Sequence, residues 1–366
     1  MKALILIGGY GTRLRPLTLS ILKPLVEFCN RPMLVHQIEA LVSVGINEII
    51  LAIHREAECI EDSIRSLCES SFRGHSVALH FSYEDEHLGT AGPLAQAAPW
   101  LKNLTEPFFV LNSDIICNYP FQRMLDFHNS HGKEGTMAVT KVEEPSRFGA
   151  VVYNDHSGGV LRFVEKPCDF VANKVNAGLY IFNSSVLNRI ELRPTSIEVE
   201  IFPRMVEDGQ LYCIEFSGFW MDIGRPEDFI QGMRLYLSHL YESKLLMSSC
   251  PPRSKLLGNV LIHPSAKIGE NCCLGPNVTI GSGVIIENGV RIRHSAILND
   301  AVVRSHAWID HCIVGWRSVV GRWVRMENVT VLGEDVQVND EVALNGALVL
   351  PHNSISESVF DPQVIM

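Results

Sequence analysis

From Ala266 onward the chain repeats itself every six residues. Ala266/Ile268-Gly269 is followed by Cys272/Leu274-Gly275 and Val278/Ile280-Gly281. Val284/Ile286, Val290/Ile292 and Ala296/Leu298 keep the register, and later copies drift, as at Ile313-Val314-Gly315, Val319-Val320-Gly321 and Val331-Leu332-Gly333. Aliphatic residues at this spacing, with glycine or a polar residue at each corner, can all be buried if the chain winds into a coil of short strands. Three six-residue units close one triangular turn, and successive turns stack their aliphatic residues into one continuous core. A β-sandwich is the competing fold, but nothing in it calls for six consecutive copies in register.

Such hexapeptide coils wind left-handed, against the usual right-handed crossover. The expected C-terminal domain is therefore a left-handed parallel β-helix over 258–366. Residues 1–240 follow another grammar, short apolar strands alternating with amphipathic helices, which specifies an α/β layer structure. The spacing predicts strands at Met1–Ile7, Glu48–Ile53, Val77–Tyr83, Phe108–Leu111, Met137–Val142, Ala150–Tyr153 and Leu179–Phe182. It predicts helices at Pro32–Gly45 and Arg225–Leu240. The pattern is lost over 241–257, where Ser248-Ser249-Cys250-Pro251-Pro252 reads as a linker.

With 366 residues there is material for two domains and a large core. The net charge of -10 argues against a general nucleic-acid surface. Ten cysteines show no paired framework and no C-x-x-C, and no secretory n-region or membrane-length apolar run occurs. These features predict reduced thiols, a cytoplasmic protein and no membrane partner. The fourteen histidines form no H-E-x-x-H or other zinc spacing.

The chemistry begins at Leu4-Ile5-Leu6-Ile7-Gly8-Gly9-Tyr10-Gly11-Thr12-Arg13-Leu14-Arg15-Pro16-Leu17, closed by Lys23-Pro24-Leu25. An apolar run without a polar break reads as a buried parallel strand. The glycines after it let backbone N–H groups approach a phosphate, and Arg13, Arg15 and Lys23 add fixed positive charge. No Gly-Lys-Ser/Thr follows, so this is not a P-loop; nor does the spacing fit the dinucleotide fingerprint. Phe108-Phe109-Val110-Leu111-Asn112-Ser113-Asp114 and Trp220-Met221-Asp222-Ile223-Gly224 each end an apolar run in a carboxylate. Strand carboxyl ends face the ligand crevice of open α/β sheets, although each aspartate alone could equally serve a turn or a helix start. Glu84-Asp85-Glu86 reads either as an acidic turn or as acceptors for a base edge with N–H donors.

The signature segment resembles that of the sugar-phosphate nucleotidyltransferases. Its length and wording, Phe28-Cys29-Asn30 included, are most similar to the catalytic mannose-1-phosphate guanylyltransferases. The resemblance runs from Met1 to Val364-Ile365-Met366, and it adds Leu88-Gly89-Thr90-Ala91-Gly92, Phe163-Val164-Glu165-Lys166-Pro167 and Val175-Asn176-Ala177-Gly178 in order. Two positions differ: Ile21-Leu22 precede Lys23-Pro24 where the family usually has Thr-Pro, and His87 stands where a proline is frequent. The resemblance implies a Rossmann-like domain with a mixed, mostly parallel sheet. It implies nucleotide binding by Leu6, Gly8, Gly9, Gly11, Thr12, Arg13, Glu84 and Gly89. Sugar-phosphate binding would fall to Gly149, Glu165, Lys166, Asn176 and Gly178, with Mg²⁺ on Asp114 and Asp222. Arg13, Lys23 and Lys166 would be catalytic, converting GTP and mannose 1-phosphate into GDP-mannose and pyrophosphate. The coil supplies no expected catalytic residue, so its expected role is stability and assembly of a homo-oligomer, with room for a regulatory paralogue.

Three alternatives belong beside that expectation. One is a pyrophosphorylase for another nucleotide and sugar. Another is a non-catalytic regulatory paralogue, although those relatives lengthen the loop that here holds only Tyr10 between Gly-Gly and Gly-Thr-Arg. The third is a hexapeptide acyltransferase, for which His294, His306 and His311 are the candidate bases.

Overall fold

The computed structural model describes residues 1–9, 11–55, 60–72, 77–246 and 250–366. The chain folds into two compact units that are not contiguous in sequence. One comprises residues 1–9 and 34–220; the other comprises 10–33 and 221–366.

The first unit is built on a nine-stranded mixed sheet. Its strands are β1 (Lys2–Leu6), β2 (Glu48–His54), β3 (Ala78–Glu84), β4 (Phe108–Asn112), β5 (Gly135–Lys141), β6 (Ala150–Tyr153), β7 (Val160–Val164), β8 (Lys174–Phe182) and β9 (Leu211–Glu215). The order is β7-β6-β8-β4-β1-β2-β3, with β5 pairing both β8 and β9. β1 runs parallel between β4 and β2. That placement covers it on both edges, and Ala3, Leu4 and Ile5 are fully buried. An unbroken apolar run is what such a position demands. β8 is antiparallel to β4 and longer than expected, because it carries a bulge between Asn176 and Tyr180. Gly178 sits in that bulge at φ 74°.

Among the elements that escaped the apolar pattern are β7, β9, α2 (Glu61–Ser71) and α3 (Phe121–His131), which follow α1 (Met33–Ser43). α2 and α3 each fully bury only two or three side chains. Among the described residues no helix is long and apolar enough to cross a membrane.

The second unit is the coil. Three all-parallel sheets of six, seven and six strands form the faces of the expected left-handed β-helix. Val260 pairs with Val278 and Val278 with Ser295, so one turn takes 18 residues and the next 17. The one-residue omission explains the drift of the repeats. It also corrects the expected register at Ala296/Leu298: the core residue after Ile292 is Ile297, five positions on rather than six. Corners adopt positive φ at Asn271, Asn277, His294, Asp300, His306 and His311. Asn, Asp and His are the non-glycine residues that tolerate this region best.

Residues 10–33 belong to this unit as well. The aromatic ring of Phe28 packs edge-on against Phe229 at 5.2 Å, on α4 (Pro226–Glu242). Asn30 Nδ2 donates to the Ile280 carbonyl at 2.8 Å. Glu27 accepts from Asn299 Nδ2 at 2.9 Å and from Trp316 Nε1 at 2.5 Å. The coil thus buttresses the segment that carries Arg13 and Lys23, which a purely assembling role does not describe. Of the expected linker, Ser248 and Ser249 lie outside the described residues, and Lys255–Leu256 already pairs with Cys273–Leu274.

Candidate active site

In the first unit, candidate residues gather at strand ends. Leu6 closes β1, and Gly8 follows it against Glu84, the last residue of β3. A Cβ on Gly8 would come within 2.7 Å of Glu84 Oε1, so only glycine lets the backbone lie against this carboxylate. Glu84 is 3% exposed and accepts the Leu88 N–H at 3.2 Å. Burial pushes its carboxyl up, opposed by the Leu88 N–H and by His87 and His54. A buried carboxylate suits a ligand edge that brings N–H groups. Asp85 is instead paired with Arg55, and Glu86 is exposed. Gly9 is exposed, with nothing near its missing Cβ.

Gly89 needs its φ of 72°, and the Thr195 carbonyl would lie 2.5 Å from a Cβ there. Thr195 N–H donates to the Leu88 carbonyl at 3.0 Å, and Ala91 N–H to the Thr195 carbonyl at 2.9 Å. Next along, Thr90 Oγ1 donates to Glu198 at 2.6 Å and accepts the Ile197 N–H at 2.8 Å. The loop after β3 is thereby locked to the helical turn Ile197–Ile201, which Ser196 caps through the Val199 N–H.

The sugar-phosphate candidates also assemble. Asn176 N–H donates to the Gly149 carbonyl at 2.8 Å, and Lys166 N–H to the Phe148 carbonyl at 3.2 Å. A Cβ on Gly149 would meet Phe163 Cζ at 2.5 Å and Glu165 Oε2 at 2.8 Å. Glu165 pairs with Lys166 at 3.3 Å, and the lysine side chain is 66% exposed. Burial raises the Glu165 carboxyl; Lys166 opposes this and Glu198 reinforces it. In the β8 bulge, Asn176 Nδ2 donates to Tyr180 Oη at 2.8 Å, while Asn176 Oδ1 accepts the Gly178 N–H at 3.0 Å. The bulge re-aims Asn176 off the regular pleat. Asp114 lies just past β4, half-buried. Its turn is clamped by Gln37, whose Nε2 donates to the Asn112 and Ile115 carbonyls at 2.8 and 3.1 Å.

In the second unit Gly11 takes φ 61°, and its carbonyl accepts from Thr18 Oγ1 at 2.7 Å. Thr12 and Arg13 are exposed in the following turn and Lys23 is half-buried. Asp222, Arg13 and Lys23 converge on Gly224: a Cβ there would lie 2.8 Å from Asp222 Oδ1, 3.0 Å from an Arg13 guanidinium nitrogen and 3.1 Å from Lys23 Nζ. Asp222 Oδ1 accepts the Gly224 N–H at 2.9 Å, while Arg225 takes the cap position of α4. The aspartate therefore organises a cationic turn instead of starting the helix. Tyr10 lies outside the described residues. Cys29 is buried, with its thiol pushed up by burial, which suits no nucleophilic role.

A nucleotidyl transferase family model matches residues 2–239. The chain belongs to the nucleotidyl transferase family. The model of a GMPPB C-terminal domain matches residues 256–365 of this nucleotidyl transferase. The mannose-1-phosphate guanylyltransferase catalytic subunit beta of Danio rerio is 59% identical over 366 residues, all of both chains. The protein of the same name from Drosophila melanogaster is 60% identical over 365 residues, covering 100% of this chain and 97% of that one. Among solved structures, HddC from Yersinia pseudotuberculosis, complexed with GMP-PN, superposes with a TM-score of 0.53 at 26% identity, covering 63% of this chain and 97% of that one.

Sequence reasoning missed Gln37, Thr195 and Glu198, and it named Thr90 and Gly224 only within motifs, with no role of their own. Ser196, followed by Glu198 and Glu200, was the available signal for a capped turn. Nothing local marks Gln37 or Thr90, because their partners lie 75 to 108 residues away.

Proposed function

We propose that this nucleotidyl transferase makes GDP-mannose and pyrophosphate from GTP and mannose 1-phosphate. The observation that carries the proposal is identity near 60%, end to end, with proteins named for that activity. A non-bridging oxygen of the sugar phosphate attacks the α-phosphorus of GTP. The new oxygen–phosphorus bond forms as the bond to the β-phosphate oxygen breaks, and pyrophosphate leaves with that electron pair. The nucleophile is already an anion, so no general base is needed, and positioning and charge neutralisation carry the rate.

In this reading Gly8, Gly9, Gly11 and Thr12 line the triphosphate with Leu6 beneath, and Arg13 stabilises the transition state and the departing pyrophosphate. Glu84 and Gly89 take the guanine edge, whose N–H donors answer the buried carboxylate. Gly149, Glu165, Asn176 and Gly178 hold the sugar, with Lys166 and Lys23 on its phosphate. The family resemblance assigns Mg²⁺ to Asp114 and Asp222, and carboxylate oxygens are the donors a hard cation prefers. Bound there, the ion would supply charge neutralisation to the phosphate oxygens. The boundaries 1–240, 241–257 and 258–366 and a homo-oligomer built through the coil are part of the same proposal.

A substrate panel tests it: purified protein, Mg²⁺, each nucleoside triphosphate with each sugar 1-phosphate, and pyrophosphate release as readout. GTP with mannose 1-phosphate should exceed every other pair. A different preferred pair, or no turnover with any pair, overturns the proposal.

A further inference from the structure

One corner of the coil gathers three groups of metal-ligand type. His294, Asp310 and His311 place their ligand atoms all within 4.8 Å of one another. His294 Nδ1 lies 3.0 Å from Asp310 Oδ1, and His311 Nδ1 lies 2.9 Å from the same oxygen. The other oxygen, Oδ2, is taken by the Arg293 guanidinium at 2.7 Å. The two imidazoles stack with centroids 4.3 Å apart.

The coil explains the arrangement. Arg293 is in register with Asp310 on the next turn, so the residues that follow them, His294 and His311, occupy equivalent corners one turn apart. Asn277 and Asn328 hold the same corner, 17 residues before and after, and all four have positive φ. Asparagine is an ordinary choice there. Two successive histidines beside a carboxylate that is 8% exposed are not.

We propose that His294, Asp310 and His311 form a binding site for a borderline divalent transition metal of the zinc class. Two imidazole nitrogens and one carboxylate oxygen are a known three-ligand set for zinc, with water completing a tetrahedron. Bonds of about 2.0–2.1 Å put tetrahedral ligand atoms about 3.4 Å apart. Each nitrogen must retreat from Oδ1 by only a few tenths of an ångström to admit the ion. Arg293 fixes Oδ2, which leaves Oδ1 as the single ligating oxygen. The His311 side chain is 50% exposed and gives the ion a path from solvent. Because His294 and the Asp310-His311 pair lie on adjacent turns, the ion would staple one turn to the next.

The test uses untagged, chelator-treated, full-length protein in excess Mg²⁺, so that hard carboxylate sites are already filled. Zn²⁺ is titrated calorimetrically, and Co²⁺ is titrated in parallel for the visible absorption of a tetrahedral ion. The parent should take up one equivalent of Zn²⁺ and gain thermal stability with it. His294→Asn and His311→Asn keep a residue that tolerates the corner conformation but remove the ligand. Each should weaken Zn²⁺ binding at least tenfold and abolish the thermal gain, while the metal-free melting profile stays close to that of the parent. No zinc uptake by the parent, or parental affinity in both variants, overturns the proposal.

Discussion

Arg13 is exposed in a loop and Glu84 is buried at the end of a strand, so their substitutions separate chemistry from folding. Arg13→Ala gives up little packing but removes a preorganised cation. It should lower kcat on the order of 10²-fold or more, with a smaller change in KM, and leave the melting temperature nearly unchanged. Steady-state kinetics with GTP and mannose 1-phosphate decide this, and activity within a fewfold of the parent removes Arg13 from its role. For Glu84, burial raises the carboxyl above its ordinary value. Between the ordinary and the raised value the folded state keeps a proton that the unfolded state has lost, so stability from this group falls as pH rises through that window. Glu84→Gln keeps an acceptor for the Leu88 N–H and has no charge to bury. It should be at least as stable as the parent well above the window, with the advantage shrinking toward about pH 4, while the KM for GTP rises. Melting curves across pH test the first half and kinetics the second; a variant that melts below the parent at neutral pH contradicts the sign.

Among the elements, the signature loop departs from its family at Ile21-Leu22. Leu22 has φ -61° and ψ 139°, values that a proline ring adopts without strain. Leu22→Pro should therefore stabilise the protein by about 0.4–1 kcal/mol by narrowing the unfolded ensemble, with activity at or above the parent's. Denaturant melts and kinetics check both parts; a large loss of activity would mean that the loop before Lys23 needs the freedom leucine leaves it. The β8 bulge is the element of opposite kind, where Gly178 at φ 74° uses the freedom that glycine has and leucine lacks.

On the scale of the whole molecule, the coil holds the signature segment as well as itself. The Glu27 carboxyl is pushed up by burial and held partly in check by the Trp316 N–H. Trp316→Phe removes that donor and leaves a half-buried carboxylate with less compensation. The expected cost is about 1.5–3 kcal/mol of stability, together with a fall in kcat, although position 316 lies 303 residues along the chain from Arg13. Unfolding curves and kinetics on the single variant test this, and parental kcat would mean that the loop is positioned without the coil. Truncation near Ser254 is accordingly expected to abolish turnover, and not only assembly.

The sequence by itself determined what repeats locally. The six-residue period specified the coil because burying an aliphatic residue at that interval admits few backbone paths. The apolar run Ala3–Ile5 specified a strand covered on both sides. The glycines and cations of the signature, with Glu-Lys-Pro and Asn-Ala-Gly, marked the candidate site because a phosphate needs bare backbone and positive charge. Tertiary structure alone decided the rest. The 17-residue turns come from single omissions at corners, which shift Ile297 into the core and blur the period. Gln37 and Thr90 act through partners far along the chain, and the loop's attachment to Trp316 spans 289 residues. Hydrogen bonds of that reach leave no local pattern, because each partner is chosen by where the finished fold delivers it.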